Sequence, residues 1–322
     1  MFTLAELESA AEIVYSRMPP TPQHVWPLLS RRLGIDVVVK HENHTPAGAF
    51  KVRGGIVYVD ELQRRGVAGA GVVTATRGNH GQSIARAATA AGIKATIVVP
   101  VGNSIEKNAA MRGFGAELIE HGADFDEAKA EAQRLAATRG LTMVPSFDAA
   151  LVKGVATYAL ELFRAHPDLS AVYVPIGLGS GICGVIQTRD LLGLSTTVYG
   201  VVAENAAAYA LSYEAGHPVQ TNSARTFADG MAVRQPHPDA VAMINRGASG
   251  IVRVGEDAIA EAIRILFEDT HNIAEGAGAA PLAAVIASKS QWQGRKAAVI
   301  LSGGNVDRPI YRQVLAGTTP QA

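Results

Sequence analysis

The sequence predicts an α/β protein made of two open parallel-sheet lobes with helices on both faces. Three observations predict it. Short apolar runs alternate with helix-like segments along nearly the whole chain, the order of elements that builds parallel sheets covered by helices. The runs are apolar at consecutive positions, as strands buried on both faces are. Several strand-to-helix junctions are rich in glycine and small polar residues, and such junctions are where open α/β sheets bind their ligands.

The elements follow in order. TLAE, Thr3 to Glu6, resembles a helix capping box. DVVVKHEN reads as a strand and VRGGIVYVDELQRRG as a helix, with a Pro-Ala-Gly-Ala turn between them. AGVVTAT precedes the helix NHGQSIARAATAAG, and KATIVVP precedes SIEKNAAMRGFG. AELIEHG precedes DFDEAKAEAQRLAATRG, and TMVPSF precedes GVATYALELFRAH. AVYVPIG, TVYGVVAE and KAAVILSGG are further strands with helices between them. There are no repeats, low-complexity segments or long linkers, and composition alone marks no boundary between lobes.

Bulk properties exclude several classes of function. The 322 residues suffice for one large domain or two medium ones. Lys+Arg and Asp+Glu both number 29, so no basic excess points to nucleic acid. No apolar run is long enough to cross a bilayer. The N-terminal stretch carries acidic residues and lacks the basic start and apolar core of a signal peptide. Cys183 is the single cysteine, which fits a reducing compartment. A cytoplasmic protein acting on a small molecule is expected.

Lys51 raises the first chemical question. It stands near the start of a helix, where the positive end of the helix dipole disfavours an ammonium. It is either a solvated surface lysine or one whose neutral amine is needed. AVYVPIGLGSGICG is the strongest phosphate signal: a strand runs into Gly177, Gly179, Gly181 and Gly184 and then a helix. Glycines let the backbone approach an anion, and the helix start offers free N–H groups. The same glycines spell G-x-G-x-x-G, with Glu204 ending a later strand. This keeps a nicotinamide-dependent oxidoreductase in view, although it leaves Lys51 unexplained. TATRGNHGQS (74–83) and LSGGNVD (301–307) are two more junctions, each readable as a polar turn when taken alone.

Taken together these stretches resemble the pyridoxal-phosphate enzymes of the tryptophan-synthase β fold, fold type II, in the threonine/serine dehydratase and serine racemase branch. GAFKVRGG is similar to the family's S-F-K-x-R-G motif, TRGNHGQ to its S-S-G-N-H loop, PIGLGSG to its phosphate loop and LSGGNVD to its cofactor-nitrogen motif. TFADGMAV and AEGAGAA also stand in family order, and the likeness runs from about residue 40 to 310. The resemblance implies pyridoxal 5'-phosphate as cofactor, held covalently by Lys51 beside Phe50. It implies that Gly177, Leu178, Gly179, Ser180 and Gly181 cradle the phosphate, that Asn79 donates to the phenolic oxygen, and that Glu275 lies against the cofactor. Ser302 would bond the ring nitrogen. A serine cannot keep that nitrogen protonated as an aspartate would, so the electron sink is weaker, which suits β-elimination.

The implied reaction converts a β-hydroxy-α-amino acid to an α-keto acid and ammonia. Lys51 would take the α-proton as general base, and the backbone of Thr76, Arg77, Gly78, Asn79 and His80 would hold the substrate carboxylate. Residues 71–148 would form a small mobile lobe, and 1–70 with 149–322 a large cofactor-binding lobe. A homodimer is expected by family resemblance. The chain ends soon after LSGGNVD, so the C-terminal regulatory domain of biosynthetic threonine dehydratases, and feedback by isoleucine, are not expected.

Three departures from the family pattern bear on the substrate. Ala49 replaces the usual serine before the phenylalanine. Arg77 replaces the serine that acts as acid and base on the face opposite the lysine in serine racemase, so racemisation should be weak or absent. Relatives hold a divalent cation through a glutamate, a carbonyl four residues on and an aspartate six residues on; here these are Glu204, Ala208 and Ala210, a poor cage for a hard dication. Threonine, serine or an aryl-serine such as phenylserine is the expected substrate. The alternatives are a 3-hydroxyaspartate dehydratase or an amino-acid racemase.

Overall fold

The computed structural model of the chain describes residues 1–67 and 69–321. Helix α1 (Leu4–Tyr15) is followed by β1 (Gln23–Val25), α2 (Pro27–Leu33), β2 (Val37–His41) and α3 (Lys51–Arg65). Then come β3 (Val72–Ala75), α4 (Asn79–Ala90), β4 (Ala95–Val99) and α5 (Ile105–Gly113). Next are β5 (Glu117–Glu120), α6 (Phe125–Arg139), β6 (Thr142–Met143) and α7 (Ala149–Ala165). The chain continues through β7 (Ala171–Pro175), α8 (Ser180–Leu191), β8 (Thr197–Ala203), α9 (Ala208–Ala215) and α10 (Pro238–Gly247). It ends with β9 (Gly250–Val254), α11 (Glu256–Thr270), α12 (Gly276–Ser288), β10 (Ala297–Leu301) and α13 (Arg308–Leu315).

Two sheets result. The larger has six strands in the order β1-β2-β10-β7-β8-β9, and the smaller has four in the order β5-β4-β3-β6. All pairings are parallel except that of β1 with β2. The fold class is the one expected, with one correction: the large sheet is not wholly parallel, because the three-residue β1 caps its edge in the opposite sense. Period-two geometry explains the continuous apolar strands. In β2, Val37 and Val39 pack into one core with α2, α11 and α12, while Val38 packs into the other with α1, α7, α8 and α10. In the smaller sheet Val72, Ile97 and Val99 face α3 and α4, and Val73, Ala75 and Val98 face α6. The capping box is present at the start of α1, with reciprocal bonds between Thr3 and Glu6.

Helix α3, which begins at Lys51, is held from below. Gly154 lets the backbones of α3 and α7 touch, since a Cβ there would lie 2.4 Å from the Arg53 carbonyl oxygen. Arg53 itself is fully buried and bonds Glu42 at 2.7 Å, Glu161 at 2.6 Å and Thr157 at 3.0 Å. Lys40 adds a second cation on Glu161 at 2.5 Å. Two cations and two carboxylates thus balance inside the protein. Buried charges persist only when paired and hydrogen-bonded in this way.

Candidate active site

The carboxyl ends of adjacent strands place the chemistry. In the order β2-β10-β7, they lead to the Lys51 loop, to Ser302 and to the glycine loop. The first two are stitched together. Phe50 donates its N–H to the Ser302 carbonyl at 2.9 Å, and Gly304 donates to the Gly48 carbonyl at 2.9 Å. Ala49 bridges Gly303 between these bonds. Lys51 is therefore fixed beside Ser302, and Ser83 Oγ donates to the Lys51 carbonyl at 2.6 Å.

The Lys51 amine has a polarised environment. Its Nζ lies 4.9 Å from the centre of the Phe50 ring. Burial pushes its pKa down to about 8, against the pull of the Glu275 carboxylate. The residue as a whole is only partly buried, while its amine is desolvated. The neutral base that the helix start suggested is thus accessible near neutral pH. His80 is buried beside it, bonded to Thr74 Oγ1 at 3.1 Å, and burial pushes its pKa down to about 3.

The glycine loop joins β7 to α8. Gly179 caps α8 with φ +98°, a left-handed conformation that disfavours other residues. Among the described residues no side chain caps this helix, and its first internal bond runs from the Cys183 N–H to the Gly179 carbonyl. The N–H groups of residues 179–182 are left for another acceptor.

A second helix start, that of α4, has no side-chain bond from its N-cap residue Gly78. Thr76 Oγ1 accepts from Gly78 at 3.0 Å and Gly81 at 3.3 Å. The first helical bond is Gln82 to Gly78, so Asn79 and His80 keep free N–H groups among the described residues. Asn79 Nδ2 donates to both oxygens of Glu275, at 2.8 and 3.1 Å. Asn79 Oδ1 accepts from Asn305 at 2.8 Å. Glu275 is buried, and burial raises its carboxyl to about 7, opposed by Lys107, Asn79 and Lys51.

These residues fit pyridoxal 5'-phosphate. The loop before α8 offers uncommitted N–H donors, as a phosphate requires. Lys51 would supply a desolvated amine for the aldehyde carbon. Ser302 is buried, and among the described residues its hydroxyl makes no hydrogen bond, which suits a neutral ring nitrogen.

Two expected residues stand apart from this cluster. Arg77 is exposed and, among the described residues, makes no ion pair; its charge is the smallest of the influences that hold the Asp124 carboxyl below its ordinary range, after the Glu127 and Asp126 backbone amides and Arg234. Glu204 is exposed in a 3-10 turn, while Ala208 and Ala210 are buried. Among the described residues no group of three or more His, Cys, Asp or Glu is arranged for a metal ion.

Other contacts were not foreseen. Lys107 Nζ meets Asp229 at 2.5 Å, Ser104 meets Asp307 at 2.5 Å, and the Arg308 N–H reaches Glu106 at 2.9 Å. Arg234 meets Asp124 and Asp126. All join the segment carrying the smaller sheet to the remainder. Asp229 and Asn305 lie inside motifs that the sequence singles out, but nothing local names their partners.

A family model described as pyridoxal-phosphate dependent enzyme matches residues 16–303. The biosynthetic L-threonine dehydratase of Salmonella typhimurium is 38% identical over 297 residues, 91% of this chain. The chain spans 58% of the length of that relative. The processed form of threonine deaminase isoform 2 from Solanum lycopersicum superposes with a TM-score of 0.89 at 31% identity, covering 98% of this chain and 95% of that one. Maize serine racemase superposes with a TM-score of 0.90 at 26% identity, covering 98% and 97%.

Proposed function

The chain belongs to the pyridoxal-phosphate dependent enzymes, and on that premise we propose that it removes the β-hydroxyl of a β-hydroxy-α-amino acid to give an α-keto acid and ammonia. The observation that carries this reading is the placement of a desolvated Lys51 amine and the uncommitted hydroxyl of buried Ser302 on two loops joined by the Phe50–Ser302 backbone bond. When bound, the cofactor supplies an electron sink that acidifies the substrate's α-C–H bond.

The chain's own residues do the rest. Lys51 holds the cofactor, and its free amine then takes the α-proton at Nζ. The Asn79 and His80 N–H groups at the start of α4 bind the substrate carboxylate. Gly177 to Gly181 hold the phosphate, and Ser302 leaves the ring nitrogen unprotonated. Asn79, Glu275 and Phe50 fix the cofactor's position. Loss of water from the substrate leaves an enamine, which water hydrolyses to keto acid and ammonia. Arg77 stands where the resemblance gives a racemase its second-face hydroxyl, so that face lacks the acid and base that racemisation requires.

Threonine, serine or an aryl-serine is the proposed substrate, with breakdown of amino acids as the setting. No described helix is long and apolar enough to cross a membrane, and we place the protein in the cytoplasm as a homodimer with residues 71–148 as its closing lobe. The test is keto acid release from threonine, serine, phenylserine and 3-hydroxyaspartate by the purified, cofactor-loaded protein. Release from a neutral substrate is expected. No release from any of the four overturns the reading. Light scattering gives the oligomeric state.

A further inference from the structure

Two buried phenols grip the glycine loop from the protein side. Tyr209, in the first turn of α9, donates its hydroxyl to the Leu178 carbonyl at 2.8 Å. The same oxygen accepts the His237 N–H at 3.0 Å, at the cap of α10. Tyr158, in α7, donates to the Gly181 carbonyl at 3.0 Å. The two residues are 2% and 1% exposed. Burial raises both phenols above their ordinary range, so they stay protonated and act as donors.

Peptide geometry turns these bonds into a statement about the cleft. In a planar trans peptide the C=O and N–H point in opposite directions. The Leu178 carbonyl shares its peptide with the Gly179 N–H, and the Gly181 carbonyl shares its peptide with the Ile182 N–H. The Leu178–Gly179 peptide precedes the helix, so holding its carbonyl toward the core holds its N–H away from it. The Gly181–Ile182 peptide already follows α8, and the Tyr158 bond reinforces that direction. Gly179 and Ile182 are the first and last of the donors that α8 leaves without a helical acceptor. We propose that Tyr158 and Tyr209 are positioning residues that aim these two N–H groups at the cofactor's phosphate, so that phosphate affinity is set from behind the loop.

The inference rests on the cofactor reading above, and its test separates the two. Apo-protein of wild type, Tyr158→Phe and Tyr209→Phe is titrated with pyridoxal 5'-phosphate and, separately, with pyridoxal, which lacks the phosphate. Each substitution removes one oxygen, and circular dichroism reports the fold. Each variant should bind pyridoxal 5'-phosphate about tenfold more weakly, as loss of one buried hydrogen bond predicts, with pyridoxal binding unchanged. The double variant should lose about a hundredfold if the two act independently. Wild-type affinity for pyridoxal 5'-phosphate in either folded variant overturns the inference. So does equal weakening toward both ligands, or a misfolded variant, since each marks a merely structural tyrosine. A wild type that binds neither ligand defeats the cofactor reading instead.

Discussion

Asn79 and Glu275 are joined by a two-pronged hydrogen bond, 2.8 and 3.1 Å, that links the start of α4 to the start of α12. It ties a loop of the smaller sheet's segment to the large lobe at the point where Lys51 feels the same carboxylate. Glu275 is thus both a strut and a charge that tunes the amine.

The first prediction follows from that charge. The Lys51 amine, held at about 8 by burial, is raised by Glu275. Covalent attachment of pyridoxal 5'-phosphate to the apo-protein should therefore rise with pH through about 8. In Glu275→Gln the midpoint should move lower. Glu275 has its own stability signature. Its carboxyl is raised from 4.5 to about 7, so it contributes stability that is present below pH 4.5 and lost as pH rises toward 7. The stability of Glu275→Gln relative to wild-type apo-protein should rise across that window. A midpoint that stays fixed in the variant would remove Glu275 from the tuning of Lys51.

Lys51→Ala should fold and yet lose catalysis by several orders of magnitude, because base and covalent anchor vanish together. Borohydride should fix the cofactor to wild-type protein at Lys51 and leave the variant unlabelled, as read by mass spectrometry of the peptide. Keto acid release near the wild-type rate by the variant would sink the assignment.

The fold class, and the junctions from which the candidate site is proposed, were legible for local reasons. Lys51, Asn79, Gly179 and Ser302 each follow a strand, and a strand end is readable from a few consecutive residues. What escaped was long-range or short. Strand β1 has three residues, and β9 carries Arg253 within a partly exposed run, so neither shows the apolar run of a buried strand. Lys107 and Asp229 are 122 residues apart, and Tyr209 reaches a carbonyl 31 residues away. A side chain's distant partner leaves no trace in its own neighbourhood. For Arg77 the motif position is readable from the sequence, while its exposure depends on packing around the loop.

Chelation should cost little. Ala210 is buried and carries only a methyl group where the resemblance expects a carboxylate six residues after Glu204. Treatment with a chelator should leave activity within about twofold, given that hard dications need several oxygen ligands. Loss of most activity, restored by magnesium or manganese, would mean that other residues complete a site.

The ion network under α3 should govern stability. Arg53→Met would leave Glu42 and Glu161 buried with Lys40 as their remaining cation. Breaking a buried pair in this way costs about 3–5 kcal/mol. Urea denaturation should show that loss, whereas Arg134→Met, which breaks an exposed pair with Glu131, should leave the unfolding midpoint nearly unchanged. Equal effects of the two substitutions would refute a special role for the buried network.

Arg77 decides how far the substrate range extends. Its exposed side chain sits on the loop that carries the Asn79 and His80 donors, close enough to Asp124 to act on its titration. From there a guanidinium can favour the substrate's α-carboxylate by its charge, or stack on an aryl group. In its place the resemblance gives a racemase the hydroxyl that exchanges a proton on the face opposite Lys51. Arg77→Ser should therefore lower kcat/KM for keto acid release, mainly through KM, and restore a group able to exchange that proton. The measurement is keto acid formation together with the enantiomer ratio of unreacted serine and threonine, for both proteins. A KM rise accompanied by new racemisation is the expected result. Unchanged kinetics on threonine, serine, phenylserine and 3-hydroxyaspartate would show that Arg77 only faces solvent.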